Sequence, residues 1–505
     1  MPATDSEDQA IHVASTETNF AARRETPSAD HEGDPLLADL KAIVGAAYAV
    51  PGDEAPAALV DMLQQYRGRA RAVVRPGSTA EVAAVVRLLH RHRVPIVPQG
   101  GNTGLAGGAT PDASGEAVVL SLARLDRIRA IDLDNDTLTV EAGVLLDAAR
   151  EAAQREGRLF PLSLPSGGSC TVGGNLATNA GGTQVLRFGN TRALTLGIEV
   201  VTAEGEVWDG LRGLRKDNAG YDLRDLYIGS EGTLGIITAA TLKLFPLPDV
   251  QQTAILRVRG IAAVIALLRR ARQGFGASLT GFEIMSPTIW QLVATHAPEY
   301  RLPFPADEHD DVWHVLIETA DEGREAEARD RLAEVIVAAV DDGLVDDAVV
   351  AESLAQRQDF WRIREHGLGE AQRRDGWNAK HDVSLPISRI PDFVAETGAA
   401  LAAAFPGIRL FVHGHAGDGN LHVHVARPLG TGPEYWQTHE TAVRALVQRA
   451  VVERGGSICA EHGVGQLKAG VLHEYKPALE LALMRRIKAA LDPHGLLNPG
   501  KVLAR

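Results

Sequence analysis

The stretch that decides the fold is Pro98-Gln-Gly-Gly-Asn-Thr-Gly-Leu-Ala-Gly-Gly108. Glycine lets a ligand approach the main chain directly. Successive unblocked N–H groups in such a loop form a concave anion site, and a diphosphate is its natural guest. The loop has neither the G-x-G-x-x-G nor the Walker A spacing. That argues against the dinucleotide fold of NAD enzymes and against P-loop NTPases.

Working outward, Ala72-Val-Val-Arg-Pro76 reads as a short strand stopped by proline. Ser78-Thr-Ala-Glu81 has the hydroxyl-to-carboxylate spacing of a helix start. Val82, Val85, Val86, Leu88 and Leu89 give that helix its apolar side, and Val94-Pro-Ile-Val-Pro98 is a second strand leading into the loop. Upstream, Asp34 to Tyr66 reads as helical, with Leu36, Leu37, Leu40 and Ile43 on one face.

Two more segments share the loop's character. Residues 165–182 are rich in Gly and Ser, and Gly229-Ser-Glu-Gly-Thr-Leu-Gly235 follows later. Any one of these alone would most often be a surface turn. Three together point to one large, extended cofactor. The candidate contacts are Pro98, Gly100, Gly101, Asn102, Thr103, Gly104 and Leu105 in the first segment. The second offers Ser166, Gly168, Ser169, Thr171, Gly174, Asn175, Thr178, Asn179 and Gly181. The third offers Glu231, Gly232, Gly235 and Ile236, and Asn498 joins them from the C-terminal run.

At 505 residues the chain exceeds one hydrophobic core. Residues 1–33 read as a disordered tail, 34–247 as the cofactor domain, and 248–475 as an α+β substrate domain. Pro246-Leu-Pro248 marks the border, residues 441–505 read as mostly helical, and 476–505 is expected to return to the first domain. The net charge of −14 disfavours a nucleic-acid face. Two cysteines without a C-x-x-C argue against an iron–sulfur cluster or a Cys-rich zinc site within this chain. There is no membrane-length apolar run, and the N-terminus has no secretory h-region. A cytoplasmic location is the expectation, and a homodimer is compatible with the sequence.

The second constellation is His413-Gly-His415-Ala-Gly-Asp-Gly-Asn-Leu-His422-Val-His424. Strand side chains alternate faces, so His413 and His415 share one, as do His422 and His424. The turn between them can fold the strands together, so that one imidazole from each meets a single metal. A carboxylate in Cys459-Ala-Glu461-His462-Gly-Val-Gly465 could complete a two-His, one-carboxylate set. A lone histidine is more often core or surface. Four in twelve residues are not.

These segments resemble those of the vanillyl-alcohol oxidase and p-cresol methylhydroxylase flavoprotein superfamily, over roughly residues 35 to 505. They are most similar to the D-2-hydroxyglutarate and D-lactate dehydrogenases, with the flavin-binding chain of glycolate oxidase nearby. The resemblance implies an α+β fold: a two-part FAD-binding domain plus a cap domain with an antiparallel sheet. It implies FAD held without a covalent bond, since residues 100–108 contain no His. It implies a divalent metal, usually zinc, on His415, His422 and Glu461, with His462 as base. Arg364 and Lys380 match positions that contact substrate carboxylates.

The implied reaction oxidises a D-2-hydroxy acid to its 2-keto acid, with hydride passing to flavin N5. The electron acceptor would be an electron-transfer flavoprotein, a quinone or a cytochrome. Arg364 and Lys380 stand one residue further apart than the pattern. Leu368 or Gly369 replaces a small hydroxyl residue, and His424 replaces an Asn. These departures bear on which acid is used. Rival readings are a flavin-binding component of a multi-chain glycolate oxidase-type complex, a metal-dependent hydrolase and a non-catalytic flavin-binding protein.

Overall fold

In the computed structural model, residues 34–306 and 311–504 are described. The tail expected at 1–33 lies outside them. The helix Thr79–His92 starts at the predicted signal: the Ser78 hydroxyl accepts from Glu81 N, and the Glu81 carboxylate accepts from Gly77 N. Its buried face (Val82, Val85, Val86, Leu89) packs on a small sheet. In that sheet Ala72–Val74, Val118–Ser121 and Ile96–Gln99 run parallel, and Ala49–Pro51 adds antiparallel at the edge. Pro98 is tolerated because its strand is the other edge.

The helix expected from Asp34 to Tyr66 is much shorter, Pro35–Val44. Gly45 at φ +91° ends it, and Pro51 and Pro56 keep it from resuming. The apolar face of Leu36, Leu37 and Leu40 is buried as expected.

A second sheet of five antiparallel strands has Ile236–Lys243 at its centre, between Thr137–Glu141 and Thr195–Val201. The second glycine segment is not all loop. Thr171 caps a helix, Val172–Thr178, by accepting from Gly174 N. Gly173 permits this helix to lie against Ala142, whose Cβ is 2.6 Å from where a side chain would begin.

The largest sheet has seven antiparallel strands. One face is apolar (Val383, Val412, Val423, Val425) and is covered by the helices Ile261–Phe275, Ile390–Ala404 and Glu434–Glu453. Strand alternation puts Lys380 and Asp382 on the opposite face, in register with His424 and His422. His422 is in turn in register with His413. This polar row faces the glycine segments.

Residues 454–471 are not helical, against expectation. Gly455, Gly463 and Gly465 have positive φ there, and this stretch carries Glu461 and His462. After the helix Ala478–Leu491 the chain returns to the first sheet, where Leu497 pairs with Ile96. Among the described residues no helix is long and apolar enough to cross a membrane.

Candidate active site

A cavity of about 700 Å³ is lined on one side by all three glycine segments and on the other by the polar row. Every candidate cofactor contact lies on its wall except Gly168, Asn179 and Asn498. Asn179 sits in the left-handed region and its side chain caps Arg192 N. Asn498 works from behind, bridging Gly108 O and Glu231 O at 2.9 and 2.8 Å. Gly168 lies outside the wall, near Asp147.

The cradle is built by bare glycine backbone meeting the next segment, its main chain at Gly101 and a small hydroxyl at Gly100. A Cβ on Gly101 would lie 2.0 Å from Ser169 O, and one on Gly100 would lie 2.4 Å from Thr171 Oγ1. Two buried polar groups on the wall, Asn175 Nδ2 and Ser230 Oγ, have no hydrogen-bond partner among the described residues. Buried donors without acceptors are expensive, so a polar guest is called for. A cofactor with a diphosphate fits this wall.

At the other end Glu461 sits among three imidazoles. Its Oε1 is 3.5 Å from His422 Nε2 and 3.4 Å from His462 Nε2, and its Oε2 is 4.0 Å from His415 Nε2. Burial raises the Glu461 carboxyl, but the imidazoles outweigh it and hold it down at about 2. One ring is fixed from behind, while the rear nitrogens of His422 and His462 face Asp382 at 3.9 and 3.7 Å. His415 Nδ1 meets Glu283 Oε1 at 2.8 Å, which directs its Nε2 into the cavity. Burial opposes charge on His415, yet Glu283 lifts it to about 9. His422 goes the other way, to about 3, chiefly through burial. His462 stacks parallel to His422. Burial lowers His462, but Asp382 and Glu461 together raise it.

Arg364 and Lys380 both reach the cavity, but differently. Arg364 lies on a π-helical turn, Ile363–Gly367, and its Nη2 is 2.7 Å from the buried Glu283. Its guanidinium is therefore already paired on one edge. Lys380 has no carboxylate partner among the described residues; its side chain is exposed towards the open cavity, yet the protein packed around it desolvates the ammonium enough to lower its pKa. Gln372 bridges His424 and His413 beside it.

Three functional positions escape the sequence reading, and a fourth has a different role from the one expected. Glu283 is a lone acid in the apolar run Leu279–Met285, which is a signal in itself. Asp382 is two residues from Lys380, so strand period places both on one face. Gln372 had no such signal. Glu231 was read as a cofactor contact. It lines the cavity, but its carboxylate is engaged by Val464 N and Gly465 N at 2.7 and 2.8 Å.

A model described as the FAD binding domain matches residues 70–210, and one described as FAD linked oxidases, C-terminal domain, matches 247–502. The mitochondrial D-2-hydroxyglutarate dehydrogenase of Bos taurus is 39% identical over 468 residues, 92% of this chain and 83% of that protein. The D-2-hydroxyglutarate dehydrogenase of Xanthomonas citri pv. viticola is 40% identical over 88% of this chain and 91% of its own. Among solved structures, substrate-bound p-cresol methylhydroxylase superposes with a TM-score of 0.74 at 17% identity, over 94% of this chain and 98% of that one. This last likeness supports the expected α+β flavoprotein fold. Matched along both halves and by such relatives, the chain belongs to the FAD-linked oxidase family that includes the D-2-hydroxyglutarate dehydrogenases.

Proposed function

We propose that the protein oxidises a D-2-hydroxy acid, D-2-hydroxyglutarate or a close analogue, to the 2-keto acid. The observation that carries this is the single cavity joining the glycine cradle to Lys380, His462 and the Glu461 cluster. FAD would lie non-covalently along the cradle, held by residues 98–105, the 166–181 segment and the 230–236 turn. A divalent metal, zinc by donor chemistry, would be held by His415, His422 and Glu461. Glu461 stands between the two rings, its Oε1 3.5 Å from His422 Nε2 and its Oε2 4.0 Å from His415 Nε2, so the three side chains would have to close in to share one ion.

A tighter donor group is Asp382, His422, Glu461 and His462, all within 4.8 Å of one another. Asp382 is a poor ligand there, because Asn420 Nδ2 and three backbone N–H groups already engage its oxygens.

When bound, FAD supplies the hydride acceptor and the metal supplies Lewis-acid polarisation of the substrate hydroxyl. The chain's own residues do the rest. Lys380 takes a substrate carboxylate as its missing counter-ion. Arg364, steadied by Glu283, presents its free edge to the acid and orients it. His462 takes the hydroxyl proton. Fixing the acid at two points sets the transfer geometry before reaction.

The test is anaerobic. The purified yellow protein is mixed with D-2-hydroxyglutarate, D-lactate and their L forms, and the visible flavin band is followed. Bleaching by a D acid and not by its L form is expected. A band unmoved by every acid, in a protein whose flavin dithionite still reduces, would sink the reading. Dye reduction by this chain alone would set aside the multi-chain complex.

A further inference from the structure

The segment Ala460-Glu-His-Gly-Val-Gly465 carries two of the proposed active groups yet belongs to no helix or strand. It is held by its backbone. Asp382 Oδ2 accepts from Ala460 N, Glu461 N and His462 N at 3.2, 2.9 and 2.9 Å. Asp382 Oδ1 accepts from Asn420 Nδ2 at 2.9 Å. Two residues further on, Glu231 takes over, Oε1 accepting from Val464 N and Oε2 from Gly465 N at 2.7 and 2.8 Å. Five of six amides in the segment therefore end on two carboxylates, both nine-tenths or more buried.

The two carboxylates come from opposite walls. Asp382 belongs to the seven-stranded sheet, in register with His422. Glu231 belongs to the third glycine segment, in the cradle. Glu231 is itself held at φ +53°, where a non-glycine residue rarely sits, and Asn498 Nδ2 binds its carbonyl. Gly463 lies between the two grips at φ +80°, and a Cβ there would come within 3.0 Å of Glu231 Oε1.

We infer that Asp382 and Glu231 are a pair of positioning residues that hang the Glu461–His462 segment between the sheet and the cofactor cradle, each acting through backbone amides. Asp382 fixes Glu461 against its imidazole partners, and Glu231 fixes the distance of the His462 segment from the cradle. The inference rests on the reaction proposed above for its kinetic consequences, though not for its structural ones.

The experiment compares the FAD- and zinc-loaded wild type with Glu231→Gln, Asp382→Asn and Gly463→Ala. Three quantities are read: hydrogen exchange resolved along residues 458–467, kcat and KM for the oxidised acid, and zinc affinity by competition with a chromophoric chelator. Glu231→Gln should speed exchange at 464 and 465 and lower kcat about tenfold, with KM and zinc affinity within twofold. Asp382→Asn should speed exchange at 460–462, lower kcat by up to about 100-fold and weaken zinc at least tenfold, the scale of lost outer-shell support. Gly463→Ala leaves both carboxylates in place and should reproduce the Glu231→Gln pattern.

Exchange at 460–465 that is as fast in the wild type as in the variants would overturn the inference. So would unchanged kcat in Glu231→Gln and Gly463→Ala, or zinc loss in Asp382→Asn with 460–462 still protected, which would make Asp382 a ligand. A wild type that oxidises no hydroxy acid sinks the proposed reaction and leaves the exchange measurement to judge the grip.

Discussion

The two ends of the cavity solve opposite problems. The cradle end is made of absent side chains. Its shape depends on Gly100 and Gly101 letting one segment touch the next at main-chain distance. The far end is made of crowded side chains, where His415, His422 and His462 gather around Glu461 and Glu283 holds His415 from behind. The cradle is steric and tolerates little added volume. The imidazole end is electrostatic, so it should tolerate volume better than a change of charge. One substitution can therefore disable either end and leave the other working.

The largest effect is expected from His462→Ala. Turnover should fall by about 10³, within the range for a lost general base, while the flavin spectrum is unchanged. A kcat within tenfold of wild type would remove His462 from the chemistry. The mirror image is Gly101→Ala, whose methyl would meet Ser169 O at 2.0 Å. Flavin should dissociate about 100-fold more readily while zinc affinity holds. A protein that stayed fully yellow on dilution would break the contrast.

Glu283→Gln tests the support behind the imidazoles. It removes the charge facing both His415 Nδ1 and Arg364 Nη2. Zinc affinity should drop 10- to 100-fold and the acid's KM should rise, with flavin untouched. Metal and substrate parameters that both stayed put would show the two ends to be less different than their geometry.

The smallest effect isolates what a carboxylate does for a buried imidazole. His314 is buried like His415 but lies flat on Trp290 at 3.8 Å, with neither ring nitrogen bonded among the described residues. Burial holds it down at about 3, whereas Glu283 lifts His415 to about 9. With the folded value below the ordinary 6.5, His314 costs nothing above that pH. As pH falls from 6.5 towards 3 the unfolded chain takes the proton first, so stability drops. The slope from this one group is at most about 1.4 kcal/mol per pH unit. His314→Phe should flatten the loss of Tm between pH 6.5 and 4. An unchanged slope would show that other groups dominate.

The sequence was readable where local rules operate. The glycine run, the Ser78 helix start and the histidine hairpin are short-range patterns, and all three stand where they were expected. The long helix from Asp34 was misjudged because apolar spacing continued past Gly45, whose positive φ ended it. The partners of the active groups lie far away in sequence. Glu231 and Val464 are 233 residues apart, and Glu283 and His415 are 132 apart. No window of sequence holds both members of such a pair. The residues that aim the site were therefore harder to find than the residues that form it.

The return of the C-terminal run to the first sheet bears on how this protein is made. Leu497 pairs with Ile96, Asn498 N donates to Ile96 O, and the Asn498 amide braces Gly108 and Glu231. A ribosome delivers Gly108 390 residues before the Asn498 amide that braces it. The nascent chain must carry an unbraced flavin pocket through the synthesis of the whole seven-stranded sheet, so a cut just ahead of Leu497 would undo the closure that translation took longest to reach.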